Sequence, residues 1–118
     1  MKAESFKINE NTFSNKLIES LPGIYYLYEI DGEEIFLRKW NQNHVILLGY
    51  SNEELINKRG SEFFSKTEWN RIKEAIENAV VKGSSMVETF IITRSGIKLP
   101  FLLEGYTFIN HGKNYLMG

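Results

Sequence analysis

Apolar residues recur at helical spacing near the start of the chain. Phe13, Leu17 and Leu21 fall on one side of a helix predicted over residues 12–21, which is therefore amphipathic. The Pro22-Gly23 pair that follows ends this helix. An apolar side with no partner nearby in the sequence indicates a contact surface.

The segment SKTEWNRIKEAIENAVVKG predicts the longest helix of the chain. Ser65 and Glu68 have the spacing of a capping box, Phe64 and Trp69 that of a hydrophobic staple, and Gly83 ends the helix. Its apolar stripe consists of Trp69, Ile72, Ile76, Ala79 and Val80.

Two shorter helices meet at LLGYSNEEL, residues 47–55. Gly49 ends the first, NQNHVILLG, at whose start Asn41 is the predicted N-cap. Ser51 and Glu54 form a capping box that starts the second. The stretch is therefore a rigid corner between helices.

Strands are predicted before and after these helices. The runs IYYLYEI (24–30) and IFLRKW (35–40) flank an Asp31-Gly32 pair, which favours a β-hairpin. Three later runs, residues 84–94, 98–109 and 114–118, are separated by short turns and predict an antiparallel meander.

The element order is helix, two strands, several helices and three strands. Runs of each type favour an α+β fold with the helices on one face of an antiparallel sheet. We expect residues 1–20 to form an N-terminal flanking segment with its helix, and residues 21–118 to form one domain. The final strand stops at Gly118 without a turn, as in a domain cut from a longer protein.

Composition and charge exclude several classes of function. The 118 residues are 42% hydrophobic and carry a net charge of -1, which is typical of a globular domain and gives no electrostatic footprint for nucleic acid. No apolar run approaches the roughly 20 residues of a membrane span. The chain has no cysteine, which excludes disulfides and thiolate chemistry and fits a reducing compartment.

Three segments in this order, LPGIYYLYEIDG, RKWNQNHVILLGYSNEEL and TRSGIKLP, carry a family resemblance. Over about residues 20 to 118 the chain resembles the PAS domain, the sensory module of histidine kinases, diguanylate cyclases and transcription regulators. The resemblance implies a five-stranded antiparallel sheet with short helices and one long helix on one face. A ligand, when there is one, lies between the sheet and those helices.

The resemblance also implies a function. It predicts a cytoplasmic sensor or protein-interaction domain of a signal-transduction protein, including two-component systems, with a covalently attached output domain. In PAS domains the N-terminal helix often packs on a second copy, so Phe13, Leu17 and Leu21 are candidate homodimer contacts. Contact with a membrane or with nucleic acid is not expected.

Two cofactors of the family are disfavoured. The position of the photoreactive cysteine in flavin-binding PAS domains aligns with Gly60, so that photochemistry is excluded. The flavin-binding asparagines align with Ile91 and Phe101, which offer no hydrogen bonds. Haem is not expected, because residues 66–82 contain no histidine, and His44 and His111 are interpreted as solvated surface residues. The cofactor therefore stays unknown.

An aromatic and aliphatic interior is the candidate ligand site. Strand alternation and the resemblance place six side chains there: Ile24, Tyr26, Tyr28, Ile91, Phe101 and Leu103. Four more are candidates to close the space: Trp40, Tyr50, Ile72 and Ile76. One interpretation is an ordinary packed core. The other is a pocket for a small apolar or aromatic ligand, with a polar partner near the hydroxyl of Tyr26 or Tyr28.

No catalytic or metal-binding residues are predicted, and we do not expect an enzyme. The alternative is a small cone-shaped α+β enzyme of the isomerase or dehydratase type, which needs an acid-base pair in an apolar pocket. Glu88 and Glu104 are the acids within the late strands, and strand parity predicts that both point outward. A ligand-free dimerisation module is a third alternative.

Overall fold

A computed structural model describes residues 10–118 as one α+β unit. The part of the N-terminal flanking segment before Glu10 lies outside the described residues. The strands are β1 (Tyr26–Asp31), β2 (Glu34–Trp40), β3 (Ser84–Ile92), β4 (Lys98–Asn110) and β5 (Lys113–Met117). The helices are α1 (Glu10–Ser20), α2 (Gln42–Leu48), α3 (Asn52–Leu55) and α4 (Lys66–Lys82), with a 3₁₀ turn at Gly60–Phe63.

The strands form one five-stranded sheet in the order β2-β1-β5-β4-β3. Every neighbouring pair is antiparallel. The first hairpin thus lies beside the last strand, and β3-β4-β5 is the predicted meander. Helices α2 to α4 cover one face, which we call the inner face, and the predicted fold class is confirmed.

The helix ends follow the predicted capping chemistry. Asn41 caps α2, and Gly49 ends it in the left-handed conformation at φ 82°. Ser51 and Glu54 form the reciprocal capping box of α3. At α4 only half of the box is present, because the Glu68 carboxylate turns away from Ser65 and accepts from Thr89 Oγ1 at 2.7 Å.

Helix α1 lies outside the core. It has no buried residue, and Phe13, Leu17 and Leu21 are 49%, 53% and 42% exposed. Its one-sided apolar stripe therefore faces solvent in the described monomer.

A β-bulge in β2 sets the face of its last residues. Tyr28 pairs with Leu37 and Tyr26 with Trp40, so Arg38 is the extra residue. The bulge returns Trp40 to the inner face, where it packs beside the core.

Within the described part of the chain, no helix is long and apolar enough to cross a lipid bilayer.

Candidate functional site

A cavity of about 50 Å³ lies between the inner face of the sheet and the helices. All five strands, α2, α4 and the 3₁₀ turn contribute to its wall. Seven of the ten predicted pocket residues line it: Ile24, Tyr26, Tyr28, Ile72, Ile76, Ile91 and Leu103. Most of the lining residues are apolar.

Two buried tyrosines form one side of the wall. The rings of Tyr26 and Tyr28 lie 5.4 Å apart, and each residue is 7% exposed. The Tyr26 hydroxyl donates to the backbone carbonyl of Glu104 at 2.7 Å, which is the polar partner expected for one of the two. Burial raises the pKa of both hydroxyls far above the ordinary range, with Glu104 adding to it at Tyr26, so both stay neutral.

His44 is the lining residue that the sequence interpretation placed wrongly. It is 2% exposed rather than solvated, and its ring lies edge-on to Phe63 with centroids 5.6 Å apart. Its Nδ1 has no hydrogen-bond partner in the described part of the chain. Burial lowers the pKa of His44 to about 4, against a smaller opposing effect of its own backbone, so the imidazole is neutral at pH 7.

Three predicted pocket residues do not line the cavity, which corrects the sequence interpretation. Trp40 is held at the rim, where its indole N–H donates to Asn52 at 2.9 Å. Tyr50 is separated from the cavity by Phe63, against whose ring it packs edge-on at 5.5 Å. Phe101 pairs with Thr89 and packs against the core, but it is not among the residues that line the cavity.

Charged groups are absent from the lining. Its members with polar side-chain atoms are Tyr26, Tyr28, His44 and Ser85. Glu88 and Glu104 are exposed on the other face of the sheet, as strand parity predicted. Among residues 10–118 no three histidine or acidic side chains come together as a metal site. The cavity therefore suits a neutral occupant.

The cavity is too small for flavin or haem, the two cofactors considered from the PAS resemblance. Small-molecule sites span roughly 300–1,000 Å³, several times the space here. At Gly60, the position of the photoreactive cysteine, a Cβ atom would lie 2.3 Å from Ile35 Cγ1. A cysteine at this position would have to displace Ile35, so the site is closed to that chemistry sterically as well as by residue type.

Comparisons with known proteins agree with this architecture. No model of a known protein family matches the chain. The methyl sulfide methyltransferase-associated sensor of Methanosarcina acetivorans is 29% identical over 98 residues, which are 83% of this chain and 10% of that protein. The chain thus spans about a tenth of that curated relative.

Solved structures decide the fold. A PAS domain from Colwellia psychrerythraea has a TM-score of 0.77 at 15% identity, with 92% of this chain and 94% of that chain covered. A PAS domain of an HTR-like protein from Haloarcula marismortui has a TM-score of 0.75 at 18% identity, with 92% and 87% covered. This chain has the PAS fold.

A third PAS domain was solved with a small molecule bound. It belongs to a LuxR-family transcriptional regulator from Burkholderia thailandensis and is in complex with ethanol. Its TM-score is 0.67 at 14% identity, with 93% of this chain and 95% of that chain covered.

In this chain, helix α2 connects the cavity to α1. The Asn41 amide before α2 donates to the carbonyls of Ile18 and Gly23 at 3.3 and 3.0 Å. Its Oδ1 accepts from the backbone N–H groups of Tyr25 and His44. One buried side chain therefore holds the end of α1, the entry to β1 and the turn that carries His44.

Neighbouring residues reinforce this link. The backbone N–H of Gln42 donates to the Glu19 carboxylate at 2.9 Å, and the Asn43 amide donates to the carbonyl of Leu21 at 2.9 Å. Sequence reasoning gave Asn41 its capping role but assigned none to Asn43. A usable signal for His44 was its spacing of four from the apolar Leu48, which places both on the buried side of α2.

Proposed function

We propose that this PAS domain is the sensor module of a longer signal-transduction protein and that it binds a small neutral molecule in its cavity. The observation that carries this proposal is the cavity itself, which lies where every strand of the sheet and helices α2 and α4 meet. The sensor named among its relatives supports a signalling role.

The size of the cavity narrows the ligand class. A cavity of about 150 Å³ holds benzene, whereas a single water needs about 10–15 Å³. The space here, about 50 Å³, matches a molecule of a few non-hydrogen atoms rather than the aromatic ligand considered from the sequence. The ethanol complex of a PAS domain with the same fold is an example of this size.

The link from α2 to α1 supplies a route by which occupancy reaches an attached output domain. Occupancy of the cavity biases the position of α2, and the hydrogen bonds of Asn41, Gln42 and Asn43 pass that bias to α1. A ligand shifts the populations of two states only as far as it binds one of them better.

The exposed stripe of α1 supports a homodimer. Phe13, Leu17 and Leu21 present an apolar surface that the described monomer does not cover. In this proposal two copies of α1 pack together, the attached output domain follows in the full-length protein, and the module acts in the cytoplasm. Neither nucleic acid nor membrane is a partner.

The test is a titration of the PAS domain with neutral molecules of three to five non-hydrogen atoms, followed by the isoleucine methyl resonances in NMR. We expect saturable shifts at Ile72 and Ile91, which line the cavity. We expect Ala75→Leu, which adds volume to the cavity wall, to fill part of the cavity and abolish the shifts. Asn78→Leu, at an exposed position of the same helix, should retain them.

A packing void without ligand gives a different result. In that case no member of the panel shifts the cavity methyls, and wild type and Ala75→Leu respond alike. The domain would then be a ligand-free dimerisation module.

A further inference from the structure

One residue of the cavity wall has a fully buried polar atom whose hydrogen-bonding capacity is unused. His44 projects from α2 into an apolar wall, and its Nδ1 has no partner among the residues that the structure describes. Buried polar atoms in native proteins are nearly always paired, so an unpaired one calls for an explanation. The hydroxyl of Tyr26, which also lines the cavity, differs from Nδ1 of His44 because it already donates to a backbone carbonyl.

Packing does not explain the choice of histidine. The ring of His44 meets Phe63 edge-on at an interplanar angle of 79°, a contact that a phenylalanine would make equally well. No hydrogen bond to the ring holds α2 in place, since Asn41 bonds the backbone of His44 instead. What histidine adds at this position is a buried, unpaired polar atom on a residue that lines the cavity.

We propose that His44 is the recognition residue of the cavity and that the occupant is a small neutral molecule with a hydroxyl group on a short aliphatic body. The proposal rests on the function proposed above and names the chemistry of its ligand. The hydroxyl bonds to Nδ1 of His44, and the aliphatic part lies against the leucine, isoleucine and valine side chains of the wall.

A hydroxyl matches this environment for two reasons. A neutral imidazole offers a donor on one nitrogen and an acceptor on the other, and a hydroxyl is the complement of either. Ionic groups are disfavoured, because the lining residues include no Lys, Arg, Asp or Glu to compensate a buried charge.

The experiment compares 1-propanol and 1-chloropropane as probes. They have the same number of non-hydrogen atoms, and only 1-propanol has a hydroxyl group. Their affinities are measured by the NMR titration described above, and the ring nitrogens of histidine are followed in ¹⁵N spectra. The chain has two histidines, so His111→Asn assigns the His44 signals. His111 is exposed in the turn between β4 and β5 and serves as the internal control.

We expect the affinity of 1-propanol relative to that of 1-chloropropane to be about fivefold higher in wild type than in His44→Phe, the effect of one net hydrogen bond. The Nδ1 resonance of His44 shifts on binding, and the His111 signals do not. His44→Phe retains the aromatic contact with Phe63 but favours 1-chloropropane, because the buried hydroxyl of 1-propanol then has no partner. The shift of Nδ1 in wild type tests the proposal even if this variant folds poorly.

Two further outcomes separate this inference from the proposed function. If wild type and His44→Phe bind the two probes with the same ratio of affinities and the Nδ1 resonance stays fixed, the recognition role of His44 is overturned while the cavity remains a ligand site. If neither probe shifts the cavity methyls, the proposed function fails and the recognition role fails with it.

Discussion

The two faces of the sheet are both rich in apolar residues, yet they have opposite environments. On the inner face, Leu37 and Ile91 are 0% and 4% exposed beneath the helices. On the outer face, Met86 and Leu102 are 62% and 60% exposed. Apolar character alone therefore does not say which face of these strands is buried, and the alternation along each strand together with the position of α4 decides it.

Polar groups on the two faces differ as well. The carboxylates of Glu88 and Glu104 stand on the outer face, where water solvates them. Opposite the inner face, helix α2 carries the imidazole of His44, which burial keeps neutral and whose Nδ1 has no partner among the described residues. A polar group that costs stability without supplying structure is typical of a site kept for binding, and this contrast separates the cavity from the rest of the core.

The largest expected effect tests the difference in burial. Leu37→Ala on the inner face should lower the free energy of unfolding by about 4 kcal/mol, because it leaves a void in a closed core. Leu102→Ala, the matched change on the outer face, should alter it by less than about 0.5 kcal/mol. Urea denaturation measures both, and equal losses would show that the outer face is also covered in solution.

An intermediate effect tests the polar contrast. Because the pKa of His44 is about 4 in the folded state and 6.5 when unfolded, the unfolded chain binds more protons between these values. Stability therefore falls as pH drops from 6.5 to 4, by up to about 3 kcal/mol. His44→Phe should remove this loss and also raise stability at pH 7 by about 1 kcal/mol, since no polar atom stays unpaired.

The control for this pH profile is the exposed histidine. His111→Asn should follow the wild-type stability curve, as measured by thermal unfolding at each pH. Tyr26 and Tyr28, the other titratable residues of the lining, stay neutral throughout this range. A His44→Phe curve parallel to wild type would contradict the assigned burial of His44.

The smallest effect on stability belongs to the exposed stripe of α1. Leu17→Asp should change the unfolding free energy by less than about 0.5 kcal/mol, because the side chain is 53% exposed. It should nevertheless abolish self-association in sedimentation velocity, where we expect the wild-type domain to form a weak dimer. If mutant and wild type sediment alike, α1 is not the dimer contact.

Much of the fold was predictable because short-range chemistry specifies it. The cap at Asn41, the box at Ser51 and the terminator at Gly83 each depend on residues a few positions apart, and all three are present. The half-formed box at Ser65 shows the limit of this approach. Glu68 has a competing partner in Thr89, which lies 21 positions away in sequence.

The site was less predictable, because contacts between residues distant in sequence position its side chains. Five pocket residues followed from strand alternation and the resemblance, and Ile72 and Ile76 from the apolar stripe of α4. The places of Trp40 and Tyr50 depended instead on the hydrogen bond to Asn52 and on the interposed Phe63. The environment of His44 could not be inferred from residue type, because histidine is stable both in water and in a protein interior.

Helix α1 is held to the rest of the domain at its C-terminal end. Its bonds to Asn41, Gln42 and Asn43 all lie at its C-terminal end, at and after Ile18, and no buried side chain ties down the remainder. From Ile18 to Glu10 the helix extends about 12 Å, at 1.5 Å per residue. A turn of about 10° at Ile18 would therefore move Glu10 by about 2 Å, so in the proposed route a small motion of α2 becomes a larger displacement at the start of α1.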